Sequence, residues 1–187
     1  MTGAHPMDPT DAFHEIGLLA FSETSVDGLL KQLAELAKRT VPGTAEVSVT
    51  LSRGNGAHTA AFTGGLALDL DERQYEQGHG PCLDALASGG TLVLNDLKSE
   101  ARWPDFAALA LDAGCRSCLS VGLPVHQSAT GALNLYATEP QAFDEDAVTV
   151  AQTFAGYAAV ALANAHLHSA QANLADLLRT AMLGSRQ

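Results

Sequence analysis

The stretch that decides the fold is Arg116-Ser117-Cys118-Leu119-Ser120-Val121-Gly122-Leu123-Pro124, followed a few residues on by Gly131-Ala132-Leu133-Asn134-Leu135-Tyr136. In both runs apolar residues alternate with small or polar ones, the period of a strand with two unlike faces. Leu119, Val121, Leu123, Leu133 and Leu135 share one face, and Cys118, Ser120, Gly122, Asn134 and Tyr136 share the other. Strands are expected over 116–125 and 131–138. The leucine face requires a helix over it. The small and polar face is expected to line a hollow of the kind a small ligand needs. Trp103 and Phe106 are expected as its lids, and Arg116 as a partner for an anionic group.

Outward from these strands, Asp144 reads as the N-cap of a long helix, with Glu145 and Asp146 in its first turn and Phe143 stapled to Val148. Helical pattern runs on to Leu183, about 60 Å at 1.5 Å per residue, so its second half is expected to project. Val150, Phe154 and Tyr157 are expected on the sheet. Leu167, Ala170, Leu174, Leu177 and Ala181 form a short heptad seam. Toward the N-terminus, Val26, Leu29, Leu30, Leu33, Leu36 and Ala37 make one helical stripe, with Thr24 as the expected cap. Residues 10–22 suggest another short helix, after a loose tail at 1–9. Val47, Val49 and Leu51 alternate with polar residues in a half-buried strand, which Gly54-Asn55-Gly56 turns into a second one at 57–62. Residues 66–90 suggest short helices around Gly78-His79-Gly80-Pro81, then a strand at 91–94 and a helix opening at Pro104. The sum is an α+β fold: a central antiparallel sheet of five to six strands, N- and C-terminal helices on one face, and short helices and loops over a pocket on the other.

The chain has 187 residues, with ten Lys or Arg against 21 Asp or Glu, a formal charge of −11. Such a surface repels a phosphate backbone and an anionic membrane, so neither nucleic acid nor membrane is expected as a partner of this segment. The longest apolar run, Tyr157 to Ala163, is short of a span. The first basic residue is Lys31, so no secretory n-region is visible and a cytoplasmic setting with reduced thiols is expected. Cys82 follows Gly80-Pro81 at a helix start, where backbone N–H groups favour a thiolate, while buried inert thiols are the plain reading of the cysteines. Cys115 and Cys118 enter a strand, where positions three apart face opposite ways, and a structural zinc needs four ligands. Neither metal nor cofactor is expected, and His79 reads as a surface turn residue.

Several strings, in this order and spacing, resemble the GAF domain over about residues 25–165: Tyr75-Glu76-Gln77-Gly78-His79-Gly80-Pro81-Cys82-Leu83-Asp84, Asn95-Asp96-Leu97 with Arg102-Trp103-Pro104, the two strands above, and Phe143-Asp144-Glu145-Asp146-Ala147. They look most like actinobacterial regulators in which a GAF domain precedes an ANTAR domain, an RNA-binding module of transcription antiterminators. Leu177-Leu178-Arg179-Thr180-Ala181-Met182-Leu183-Gly184 resembles the opening of such a domain. The resemblance implies a sensor domain at 10–165, a signalling helix at 166–187, and an RNA-binding output beyond it. It further implies a non-catalytic domain that binds an unidentified small molecule through Cys82, Trp103, Phe106, Arg116, Cys118, Ser120, Asn134 and Tyr136. A parallel homodimer is expected through residues near 10–22 and 150–183. Cyclic-nucleotide-binding members carry Asn-Lys, whereas Leu135 follows Asn134 here. Free methionine sulfoxide reductases share the GAF fold, and they imply an alternative with Cys82 as nucleophile and Cys115 as resolving thiol. A dimerisation module without ligand is the third reading.

Overall fold

The stripes and alternations resolve into α1 (Pro9–Ala20), α2 (Val26–Thr40), β1 (Glu46–Ser52), β2 (Ala57–Phe62), α3 (Gly65–Gln77), α4 (Pro81–Ser88), β3 (Thr91–Leu94), α5 (Pro104–Asp112), β4 (Ser117–Gly122), β5 (Thr130–Ala137) and α6 (Glu145–Gly184). The computed structural model describes residues 5–20, 25–54, 56–123 and 130–184. Five strands pair antiparallel in the order β2-β1-β5-β4-β3. The fold is thus α+β, as the sequence implies. Thr24, Asn55 and the connection at 124–129 lie outside the described residues. Ser25 caps α2, its Oγ accepting from the Gly28 N–H at 3.2 Å.

In the register of the sheet, Ser48, Asn134 and Ser120 stand abreast on β1, β5 and β4, with Val47, Leu135 and Leu119 beside them on the opposite face. Leu119, Val121, Leu133 and Leu135 join one core with Leu30, Leu33 and Ala37 of α2 and Ala151, Phe154 and Ala158 of α6. The α6 contact differs in detail from the expected one. Its buried stripe is Ala147, Ala151, Phe154, Ala155, Ala158 and Leu162. Val150 only borders the core. Tyr157 turns to α1, its ring 5.7 Å from that of Phe13. The alanines let the helix lie close to the sheet, which larger side chains would prevent.

β1 is the second difference. It reads as half-buried, yet Ser48 and Thr50 are buried as fully as Val47 and Val49. β1 is an inner strand, and α3 covers the face that alternation assigns to solvent.

α6 opens with the Asp144 carboxylate accepting from the Ala147 N–H at 2.8 Å, and Phe143 is buried beside it. Burial ends at Leu162, and residues 166–184 are exposed throughout. By length and composition alone α6 would cross a bilayer, which contiguous-run counting does not reveal. No Asp, Glu, Lys or Arg lies between Asp146 and Asp176. The first half of that apolar stretch is what the sheet packs against.

Candidate functional site

The polar face of the sheet meets α3 and α4. Asp71, Gln74 and Tyr75 occupy one side of α3 at helical spacing and point at β1, β2 and β5. α4 starts at Pro81 behind Gly80, whose φ of 151° needs glycine. The Gln74 Oε1 accepts from the Cys82 N–H at 2.8 Å, tying the start of α4 to α3. Gly122 seats α4 on β4: a Cβ there would run into the Ala85 carbonyl oxygen and the Gly89 backbone.

These seats gather a buried polar cluster. The Tyr136 hydroxyl donates to Asp71 Oδ1 at 2.6 Å, and the Thr59 hydroxyl donates to Asp71 Oδ2 at 2.9 Å. Tyr75 Oη lies 2.8 Å from Thr50 Oγ1 and 2.9 Å from Thr59 Oγ1. Asn134 Nδ2 reaches Thr50 Oγ1 at 3.0 Å, Ser48 Oγ at 3.2 Å and Cys82 Sγ at 3.5 Å. Cys82 Sγ lies 3.2 Å from Thr50 Oγ1. The Asn134 carbonyl oxygen is buried and has no partner among the described residues.

Burial governs the charges here. It raises the Asp71 carboxyl to about 6, against the hydroxyls of Ser48, Tyr136 and Thr59, and no described cation pairs with it. Burial, then the Asp71 charge, pushes the Cys82 thiol well up. The expected thiolate-favouring helix start does not decide the matter. A helix terminus contributes about 0.3–1 kcal/mol, less than one pKa unit, whereas full burial moves a group by up to about 3–5 units. Burial likewise holds Tyr75 and Tyr136 far above the ordinary phenol range.

Of the eight residues expected at the site, Cys82, Asn134 and Tyr136 meet in this cluster. Ser120 stands on the same face, buried and paired in register with Asn134. Trp103, Phe106 and Cys118 form the adjoining apolar cluster with Leu70, Leu94, Leu97 and the Tyr136 ring. Arg116 stands apart, its guanidinium bound to both oxygens of Asp96 at 3.1 Å. Cys115 and Cys118 do not oppose each other. Cys115 precedes the strand, and both thiols lie buried in the same cluster. Burial raises Cys115 to about 11 and Cys118 well above the usual thiol range. No group of three or more metal-ligating side chains occurs among the described residues.

The expected hollow is also corrected. A side chain bordering a water-sized cavity keeps accessible surface, yet Cys82, Cys118, Asn134, Ser120 and Tyr136 are at most 1% exposed. The face is filled because α3 supplies Asp71, Gln74 and Tyr75 to meet the strands.

A GAF domain profile matches residues 23–163. The chain belongs to the GAF domain family. No curated protein matches it. Similar solved structures include the fRMsr of Staphylococcus aureus in its reduced form, with TM-score 0.67 and 19% identity over 87% of this chain and 99% of that one. They also include the free methionine-R-sulfoxide reductase of Neisseria meningitidis with its substrate, at 0.65 and 22% over 86% and 95%. A phycocyanobilin-bound GAF domain from a cyanobacterial phytochrome gives 0.68 and 14% over 87% and 97%. At these identities the likeness carries the fold. The expectation of a non-catalytic domain is corrected to this extent: solved structures of the same fold include free methionine-R-sulfoxide reductases, which are enzymes.

Proposed function

We propose that this GAF domain receives a signal at the Asp71–Cys82–Asn134 cluster and that α6 carries it to an RNA-binding output of the ANTAR type in a cytoplasmic regulator. The observation that carries the reading is the continuity of α6. One 40-residue helix is packed on the sheet through Phe154 and Leu162, then runs exposed to Gly184. The unpaired Asn134 carbonyl oxygen supports a small polar ligand, since a buried acceptor without a donor costs about 1–3 kcal/mol. Ser120, Tyr136 and Cys118 border the same place, with Trp103 and Phe106 as apolar walls. Entry requires α3 and α4 to give way. Two copies pair in parallel through α1 and the outer stripe of α6, Val160, Leu167, Leu174 and Leu177, all exposed.

A second reading is favoured by the reductase structures: thiol-dependent reduction of free methionine-R-sulfoxide at the same cluster. Cys82 sulfur takes the sulfoxide oxygen, releasing methionine and leaving a sulfenic acid. Cys115 sulfur displaces that oxygen as water, giving a disulfide that an external dithiol reduces. Closure needs the two Cα atoms about 4.4–6.8 Å apart, and Cys118 electrostatically neighbours both other thiols.

The test is methionine release from free methionine-R-sulfoxide with dithiothreitol, alongside double electron–electron resonance between spin labels on α6 in the presence of metabolites or hydrogen peroxide. Turnover lost in Cys82→Ser establishes the reductase and displaces the sensor. An α6 distance that shifts with a metabolite or oxidant, and no longer shifts in Asn134→Ala, supports the sensor. An unmoved α6 under all conditions refutes it.

A further inference from the structure

The hairpin end of β1 and β2, the first turn of α2 and the exit of α6 enclose a groove of about 530 Å³ on the leucine side of the sheet, away from the Asp71 cluster. Its floor is apolar: Val26, Leu51, Leu162 and Ala165. Its rim carries Arg53, His58 and His166, with Asp27 as the acidic residue. Among the described residues the Arg53 and Asp27 side chains form no ion pair or hydrogen bond, so the Arg53 guanidinium is free to meet a ligand. On a chain of charge −11 with only ten Lys and Arg, a rim with one Arg against one Asp, beside two imidazoles, is less acidic than the chain as a whole.

We infer that this groove is a binding site for a small organic carboxylate with a compact apolar body. The Arg53 guanidinium has the planar fork that matches a carboxylate. The two His residues add donors, and the floor takes the apolar body. The volume falls in the range of small-ligand pockets, about 300–1,000 Å³. A metal ion is the poorer fit, because His58, His166 and Asp27 do not converge into a ligand set. The site is independent of the proposed signal cluster, which lies across the sheet. Leu162, Ala165 and Ser169 lie off the proposed pairing stripe of Val160, Leu167, Leu174 and Leu177, and His166 borders that stripe on the side of Leu177, so the apolar floor stays clear of the proposed pair of helices. A ligand here joins the sheet to α6 just where burial of that helix ends at Leu162.

The test is calorimetric titration of the full chain with benzoate, and with inorganic phosphate and benzylamine as comparison probes. Saturable benzoate binding is expected, weakened at least tenfold in Arg53→Gln and unchanged in Asp71→Asn. Arg53 is exposed and unpaired, so Arg53→Gln is expected to fold, and His166→Ala gives a second variant with the same expected direction. The inference is overturned by an absence of saturable benzoate binding, by binding indifferent to both variants, by benzylamine or phosphate binding as tightly, or by loss in Asp71→Asn instead.

Discussion

Asp71 makes the structure testable by pH. Its carboxyl is fully buried, has no described cation, and is raised from 3.8 to about 6, chiefly by burial. Between pH 4 and 6 the folded chain therefore holds a proton that the unfolded chain has released. Stability from this group is fully present below about pH 4 and is lost as pH climbs through 6. The whole effect is about 3 kcal/mol at 1.36 kcal/mol per pKa unit. About 1.3 kcal/mol of it disappears between pH 5 and pH 7. Asp71→Asn abolishes this dependence while keeping an amide oxygen for Tyr136. Loss of the other acceptor changes stability equally at both pH values and cancels. The carboxyls of Asp96 and Glu100, lowered by the Lys98 N–H and the Arg102 side chain respectively, contribute in the opposite direction but equally in both proteins. The assay is urea unfolding followed by circular dichroism and by Trp103, the single tryptophan, which is buried in the same apolar cluster as Tyr136. The difference in stability between parent and Asp71→Asn should grow in the parent's favour by about 1.3 kcal/mol on going from pH 7 to pH 5. That is roughly 0.6 M urea for a slope near 2 kcal/mol/M. Parallel pH profiles for the two proteins would refute a buried carboxyl of this kind.

Gly122→Ala should cost about 1–3 kcal/mol by driving α4 off β4, measured as a fall in urea midpoint; an unchanged midpoint contradicts the seat described for α4. Ellman's reagent should label none of the three buried thiols promptly at pH 7.5, with labelling tracking global unfolding. A fast-reacting Cys82 contradicts the closed cluster. Leu167→Asp with Leu174→Asp should convert the proposed dimer to monomer in sedimentation without lowering the melting temperature of the domain, because both side chains are exposed. A parent that sediments as monomer removes the pairing.

Where residue spacing reports packing directly, the fold was legible before any coordinates. The alternation in β4 and β5 assigned their faces correctly, and Asp144 with Phe143 marked the start of α6. Asn134 and Tyr136 are legible as neighbours in the cluster because they stand on the unlike face of an obvious strand, and Cys82 because it follows Gly80-Pro81 at a helix start. Ser48 and Thr50 were missed, since the same alternation on β1 is equally compatible with solvent, and only α3 decides otherwise. Asp71, Gln74 and Tyr75 carried a usable signal, polar residues at i, i+3 and i+4 on a helix facing a small and polar sheet face. The hollow was wrongly expected because spacing shows which side chains share a face but not what the opposing element inserts between them. The partner of Arg116 is illegible for a similar reason: Asp96 is twenty residues away in sequence, and only the fold brings it to the guanidinium.

A filled cluster changes what the proposed signal has to do. A preformed hollow would let a ligand bind with little rearrangement. Here a ligand acts only by favouring a state in which α3 or α4 has withdrawn, and it shifts that balance by its difference in affinity for the two states. Moving a balance from 1:99 to 99:1 takes about 5.5 kcal/mol. Burial disfavours the charged form of the Asp71 carboxyl, which has no described cation, in the closed state. A ligand cation or donor that meets Asp71, with another donor for the Asn134 carbonyl oxygen, therefore acts on the two costs the closed cluster already carries. Asn134 lies between Leu133 and Leu135 on β5, and both of those leucines share a core with α6. Ser48 between Val47 and Val49 and Ser120 between Leu119 and Val121 stand in the same relation to that core, and Asn134, which alone of the three carries an unpartnered buried oxygen among the described residues, is the one whose replacement by Ala should most reduce the α6 distance shift read by electron–electron resonance.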